Sequence, residues 1–374
     1  MQKILILGCG FAGLSAAAYL RAGGFKFNVT MLDRKVFFDF LPLLPDIIGR
    51  GINPDFLRFP LETAAVRFGF NFVNAEVKSV DLSRKQVSSS AGNFDYDYLI
   101  IAVGSETNFY GNGEARKYAF KLDDAEDARR VLAVLDRDKI KTCVISGGGY
   151  TGVEIATNLR RYSYKKNRPI EIIIVEKAPS ILGPLPVWMK EYVSNNLKAL
   201  DVKVLANSVI EKIEEGRVTV GAKIYENSIL IWAAGVKVAD FTLGTVLEKN
   251  PQGRYKVDAY LRLQDHCFAA GDAAYFIDGN GSLRMAVQFA VTQGFCVARN
   301  VISASRGRAL EKYRPRDFGY IIPMANNFSC GRVFGLSFKG RLPTLLHYLM
   351  CAYRSWGLRN KFGIIADLMR GGAK

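Results

Sequence analysis

The chain opens Ile4-Leu5-Ile6-Leu7-Gly8-Cys9-Gly10-Phe11-Ala12-Gly13, followed by the small-residue segment Leu14-Ser15-Ala16-Ala17-Ala18-Tyr19-Leu20. An apolar run, a G-x-G-x-x-G pattern and a helix-forming segment spell strand, tight turn, helix. Gly8 lets the chain turn sharply. Gly10 removes the side chain that would block a pyrophosphate, and Gly13 lets the helix lie close to the strand. The helix start then offers unpaired N–H groups and a positive dipole end to phosphates. Asp33 closes a second apolar run, Val29-Thr30-Met31-Leu32, at the distance expected of an acid that accepts from a ribose hydroxyl.

The pattern returns once. Thr142-Cys143-Val144-Ile145-Ser146 is a strand, Gly147-Gly148-Gly149-Tyr150-Thr151-Gly152 repeats the glycine spacing, and a helix is expected from near Val153 and Glu154. The next strand, Glu171-Ile172-Ile173-Ile174-Val175, ends at Glu176, again an acid in the ribose position. A carboxylate there accepts from a 2′-hydroxyl and repels a 2′-phosphate, which favours NAD over NADP, although Lys177 beside it softens the effect. Two motifs, each with its acid, point to two bound dinucleotides.

With 374 residues, 49% of them hydrophobic, the chain can build two or three cores and is not disordered. Its net charge of +16 calls for an anionic partner, whether nucleic acid, a lipid surface or an acidic ligand. Residues 306–374 concentrate that excess, with 13 Lys/Arg against 3 Asp/Glu. The six cysteines form no C-x-x-C pair, and the reading is reduced cysteines packed in a cytosolic protein. With two histidines, His266 and His347, no histidine-based metal site is expected. Lys3 before an apolar run imitates a signal peptide, but the glycine pattern accounts better for the same residues. No run of 18 apolar residues exists to span a membrane.

Between the motifs, Phe37-Phe38-Asp39-Phe40-Leu41-Pro42-Leu43-Leu44-Pro45 reads either as a loop covering a flat ligand or as an ordinary buried loop. Tyr98 to Gly104 is a buried strand ending at a glycine. Residues 160–168, basic with interleaved tyrosines, read as a solvated insertion rather than a nucleic-acid patch. Phe268-Ala269-Ala270-Gly271-Asp272 and the segment Ala286 to Gly294, the start of a long helix, follow. Leu342, Leu345, Leu346, Leu349, Tyr353 and Trp356 then recur at helical spacing, with Phe362, Ile365, Leu368 and Met369 beyond Gly357 and Arg354, Arg359, Lys361 and Arg370 interspersed.

Taken together, GCGFAG with Asp33, FLPLLPD (40–46), AVGS (102–105), AFKLDDAEDA (119–128), GGGYTGVE (147–154), IWAAGV (231–236), FAAGD (268–272) and VQFAVTQG (287–294) resemble a two-dinucleotide flavoprotein, most closely a type II NADH dehydrogenase (NADH:quinone oxidoreductase). The resemblance implies an α/β fold of two Rossmann-like domains, one for FAD and one for NADH, plus a C-terminal amphipathic membrane-associated element. Motif order puts the FAD domain at 1–108 and 237–320, the inserted NADH domain at 109–236 and the C-terminal element at 321–374. It implies FAD held by Gly8, Gly10, Phe11, Ala12, Gly13, Asp33 and Arg34, by Ala102 and Gly104, and by Gly271, Asp272, Gln288 and Phe289. NADH falls to Gly147, Gly149, Tyr150, Thr151, Gly152, Glu176, Ala234 and Gly235. Glu154 is expected near the nicotinamide and Gln288 at the quinone side of the flavin, the two being the catalytic candidates. Thr292 departs from the family, which often has a second glutamine there. The implied activity is hydride transfer from NADH to flavin and then two electrons to a quinone, without proton pumping. The implied setting is the cytoplasmic face of the cell membrane, held peripherally (monotopically) on anionic lipid by the C-terminus. No nucleic-acid partner and no metal are expected, and a homodimer stays open. Two alternatives stand beside this: a sulfide:quinone oxidoreductase-like flavoprotein, for which Cys330 lacks a convincing partner, and a flavin-bearing redox or binding protein without quinone turnover.

Overall fold

Each glycine motif sits at the centre of its own sheet, parallel but for one edge strand of the first. In the computed structural model, which describes residues 1–24, 26–137, 139–244, 247–279 and 281–372, the chain forms two compact units. The first comprises Met1–Phe38, Phe59–Glu106 and Val236–Asp317, and the second Asp39–Arg58, Thr107–Gly235 and Phe318–Lys374. Residues 373 and 374 of the expected C-terminal element lie outside the described residues.

In the first unit the strand Lys3–Leu7 pairs in parallel with Asn28–Asp33 on one side and Tyr98–Ile101 on the other. The six-stranded sheet extends to Asn71–Asn74 at one end and to Cys267–Ala269 and Arg262–Gln264 at the other. The central strands are apolar without alternation because both faces are covered; Ile4, Leu5, Ile6 and Leu7 are all buried. Phe11–Ala22 packs on this sheet, and the helix Val287–Ala304 crosses close to it.

In the second unit the order is Val202–Leu205, Glu171–Val175, Thr142–Ser146, Ser228–Trp232, parallel throughout. Its helix runs Tyr150–Lys165, so it starts at Tyr150 rather than near Val153 and carries the first half of the basic segment 160–168 as regular helix. The segment is solvated only in its second half, where residues 164–167 are exposed; its first half is packed. Tyr162 is buried, and Arg160 is buried with its guanidinium donating to the carbonyls of Ile170 (3.1 Å) and Asp201 (2.7 Å). The stretch at 41–49 is helical too: Leu44–Gly49 is a short helix buried along its length against Tyr150–Lys165.

The chain ends in an antiparallel sheet of Gly319–Ile322, Ser329–Val333 and Leu336–Gly340, then two helices, Arg341–Arg354 and Leu358–Gly372. Ile322, Met324 and Cys330 join the apolar core around Ile145, Ile155 and Ile174. Among the described residues no helix is long and apolar enough to cross a membrane.

Candidate active site

The two glycine turns are built alike. Gly10 and Gly149, the residues before each helix, have φ/ψ of −78°/−167° and −77°/−168°, with neither a side-chain cap nor an acid in the first turn. The N-terminal N–H groups therefore face outward with their dipole uncompensated. A Cβ on Gly10 or Gly149 would meet no atom within 4 Å, so open space lies in front of each turn. At Gly13 and Gly152 the reverse holds: a Cβ would come 2.0 Å from the carbonyl oxygen of Gly8 or Gly147. The helix can approach its strand only without a side chain there.

The acids close each cradle. Asp33 accepts from the N–H of Cys9 at 2.7 Å and from that of Lys35 at 2.8 Å. Glu176 accepts from Gly148 N–H at 2.7 Å and Ala178 N–H at 2.8 Å. Each carboxylate is thus fixed by one backbone bond per oxygen and keeps acceptor capacity for two ribose hydroxyls. Open space, an uncapped helix start and a positioned acid fit a dinucleotide in both cradles.

The other residues expected to hold FAD lie in the first unit. Phe11 meets Phe38 edge to face at 4.9 Å, and Arg34 pairs with Glu106 at 2.8 Å. Ala102 backs the turn at Gly8, and Gly104 takes φ +68°. Asp272 accepts from the Ser105 hydroxyl at 2.7 Å. Burial raises its carboxyl above the usual range, while Ser105 and Arg254 pull it back. Gly271 donates its N–H to the side-chain oxygen of Gln293 at 2.7 Å. Phe289 is buried under the guanidinium of Arg284, 5.2 Å from its ring centre.

Gln288 is buried and its amide nitrogen donates to Asp317 at 3.0 Å. Asp317 also binds Arg284, at 2.9 Å through Nη2. Thr292, in place of a glutamine, bonds the Tyr313 hydroxyl at 2.8 Å and its own helix at the Gln288 carbonyl, 2.9 Å.

In the second unit Tyr150 stands edge-on to Tyr320 at 6.0 Å, Thr151 is exposed, Ala234 accepts from the Tyr110 hydroxyl at 3.3 Å, and Gly235 accepts from the Asn108 N–H at 3.0 Å. Glu154 is partly buried on the cradle helix, and its carboxyl is raised well above the ordinary value by burial and then by Asp46.

Asp46 belongs to a polar network that sequence reading passed over. Asp46 and Arg50, each 4% exposed, form an ion pair at 3.1 Å. The Tyr348 hydroxyl donates to Asp46 at 2.8 Å and its ring lies 4.6 Å beneath the Arg50 guanidinium, which also donates to Asn327 at 2.7 Å. His347 beside it is pushed down to about 4 by burial and by Arg50.

Arg254 was missed as well. It is buried and donates to three backbone carbonyls, of Asp272, Ala274 and Leu283, at 3.1, 2.6 and 2.9 Å, which fixes the loop after Asp272. Its partners carry no sequence signal because they are main-chain atoms. Gln293 was visible within VQFAVTQG but had no role until Gly271 was placed beside it.

The six cysteines are buried and free. Among the described residues no group of three or more His, Cys, Asp or Glu is placed to hold a metal ion.

The Type II NADH:quinone oxidoreductase of Staphylococcus haemolyticus is 25% identical to this chain over 370 residues, which cover 91% of this chain and 92% of that protein. The solved structure of NDH2 from Plasmodium falciparum in complex with NADH matches with a TM-score of 0.88 at 17% identity, over 99% of this chain and 98% of its own. The sulfide:quinone oxidoreductase of Aquifex aeolicus matches with a TM-score of 0.77, also at 17% identity, over 98% of this chain and 93% of its own. At that identity the structural matches speak for the fold alone. Residues 2–294 match the model of the pyridine nucleotide-disulphide oxidoreductases, and the chain belongs to that family.

Proposed function

We infer that this chain is an FAD-dependent oxidoreductase that passes electrons from NADH to a quinone. The observation that carries it is the pair of equivalent cradles, each with open space at a helix start and an acid fixed by two backbone N–H groups. When bound, FAD would supply the redox chemistry, hydride acceptance from NADH and two-electron delivery to a quinone that two protons complete to the quinol. The chain's own groups bind and orient. The first cradle and Asp272 hold FAD, the second cradle with Glu176 holds NADH, and Glu154, its carboxyl raised by burial and by Asp46, stands on the same helix. We assign the FAD domain to 1–108 and 237–320, apart from Asp39–Arg58 and 318–320, which lie in the second unit, and the NADH domain to 109–236. Gln288, oriented by Asp317, faces the acceptor side. Replacing it by alanine is expected to raise the quinone KM or lower quinone turnover, while NADH-driven bleaching of the flavin keeps its rate. Equal loss in both half-reactions would instead make Gln288 a flavin ligand.

The enzyme's place is on an anionic membrane surface at the cytoplasmic face. Leu345, Leu349 and Tyr353 are 57%, 56% and 76% exposed, whereas the face of their helix turned inward is Thr344, Tyr348, Cys351 and Ala352. Phe362 and Met369 on the next helix are 67% and 73% exposed. These exposed members of the stripe do not pack on the core of their unit, as an ordinary C-terminal helix would, whereas Leu346, Trp356 and Leu368 are half-buried. Apolar side chains seated at the headgroup level, with Arg359, Lys361 and Arg370 at the phosphates, account for it at about 1 kcal/mol per cation. Cutting the chain after Pro323 would also remove the buried Met324 and Cys330, so substitution is the sounder test. Leu345→Ser/Leu349→Ser/Phe362→Ser is expected to leave the protein folded and active on a soluble dye, but no longer sedimenting with anionic vesicles. Wild-type protein that stays in the supernatant at low salt and runs as a dimer would give the stripe to a subunit interface.

A further inference from the structure

A cleft of about 600 Å³ opens beside the helix Val287–Ala304 in the first unit. One wall is that helix, through Thr292, Cys296 and Arg299 at i, i+4 and i+7. The other is the segment 311–316, Glu311-Lys312-Tyr313-Arg314-Pro315-Arg316. This strap is held firmly. Asn300, fully buried, donates to the Glu311 carbonyl at 3.0 Å and accepts the Glu311 N–H at 2.8 Å. Tyr313 turns inward, bonding Thr292 through its hydroxyl and the Ala259 carbonyl through its N–H at 2.8 Å. Lys312, Arg314 and Arg316, at every second position, are exposed.

The charge on this cleft is uncompensated. The two carboxylates of the neighbourhood are committed elsewhere: Glu311 to Arg299 at 2.5 Å, and Asp317 to Arg284 and Gln288. Lys312, Arg314 and Arg316 have no ion-pair partner among the described residues. Three unpaired cations on a pinned strap repel one another unless an anion sits between them. Two guanidinium forks flanking a proline, whose ring fixes φ, are a low-entropy presentation for phosphate oxygens. Five of the thirteen cations counted in 306–374 belong to 306–316, not to the C-terminal helices.

We propose that this cleft is a binding site for a phosphate group, separate from both dinucleotide cradles, with Arg314 and Arg316 as its principal ligands and Lys312 completing its positive rim. The phosphate belongs either to a free phosphorylated molecule or to the headgroup of an anionic lipid.

The test uses full-length, FAD-loaded protein at low salt, titrated calorimetrically with inorganic pyrophosphate and, separately, with a short-chain phosphatidylglycerol below its micelle concentration, each with saturating NAD⁺ present. The expected result is saturable binding of one probe per chain, weakened at least tenfold by Arg314→Gln/Arg316→Gln and only partly by Arg314→Lys/Arg316→Lys. The charge-matched control Arg84→Gln/Arg130→Gln, at exposed sites elsewhere, is expected to bind like wild type. Tighter binding of pyrophosphate names a free ligand, and tighter binding of the lipid names a headgroup. Two results would overturn the proposal: no saturable binding of either probe, or binding that the control weakens as much as the cleft variant. Should the double glutamine variant not fold, the single variants Arg314→Gln and Arg316→Gln carry the same comparison.

Discussion

The two cradles share a backbone and differ in what stands behind it. Both place a glycine in nearly the same conformation before the helix, and both lock an acid with the same two backbone bonds. Behind the first, the buried face of Phe11–Ala22 is Ala12, Leu14, Ala16, Ala17 and Leu20 with Ser15. The helix Val287–Ala304 comes so close that a Cβ on Gly294 would lie 2.3 Å from the Ala12 carbonyl oxygen. Behind the second, Tyr150–Lys165 buries Thr157, Asn158, Arg160 and Ser163, and Asn158 packs so tightly on Leu44–Gly49 that a Cβ on Gly49 would come within 2.4 Å of its side-chain oxygen. That contact brings Asp46, Arg50 and Tyr348 with it. One dinucleotide turn is therefore set on an apolar, close-packed support that does not titrate, and the other on a support rich in ionisable groups.

The largest effect separates the cradles outright. Gly13→Val and Gly152→Val each force a side chain into a neighbouring carbonyl. Gly13→Val is expected to yield protein without the yellow flavin. Gly152→Val should keep the flavin while NADH affinity falls at least a hundredfold, as read by titration of the flavin band. Loss of flavin from both variants would show that the second cradle is not an independent site.

Titration of the polar support comes next in size. His347 lies against Arg50, and Asp46, Glu154, Tyr348, Cys351 and Arg161 are the other ionisable groups of the network. Its folded value of about 4 lies below the ordinary 6.5, so its contribution to stability is complete above pH 6.5 and is lost as pH falls toward 4. Relative to His347→Gln, wild-type protein should lose up to about 3 kcal/mol of unfolding free energy over that range. Asp46 and Glu154, raised rather than lowered, act in the opposite sense but cancel in this difference. Parallel pH profiles from denaturant melts of the two proteins would contradict the assignment.

The smallest effect tests the acid of the second cradle. Glu176→Ala removes the carboxylate that a 2′-phosphate would face, so the preference for NADH over NADPH should narrow by about tenfold, close to 1.4 kcal/mol. Asp33→Ala, on the first cradle, should leave that ratio alone. Wild-type protein that uses both donors equally would mean Lys177 outweighs Glu176.

Both cradles were legible in the sequence because each is local: strand, glycines and helix lie within about a dozen residues, and each acid ends or directly follows the very next strand. The periodicity of Leu342 to Tyr353 was legible too, but not which way the stripe points, because spacing fixes a face and only packing decides what covers it. The helical course of 41–49 was hidden by two prolines, which here stand in the first turns of short helices. The network around Asp46 could not be read at all. Tyr348 meets it from 302 residues away, and although Asp46 closes FLPLLPD, nothing in that motif names a partner. The cations of 306–316 were counted with the C-terminal helices, since a charge sum carries no position, whereas the structure groups them around a cleft on the other unit.

In the proposed function one chain holds a flavin that NADH reduces and a quinone reoxidises. The most direct test is the absorbance spectrum of the purified protein during anaerobic titration with NADH, followed by a ubiquinone or menaquinone analogue. The flavin band is expected to bleach at about one NADH per flavin and to return in full on addition of the quinone. A flavin that NADH does not bleach, or that bleaches and is not restored by any quinone, would contradict the account.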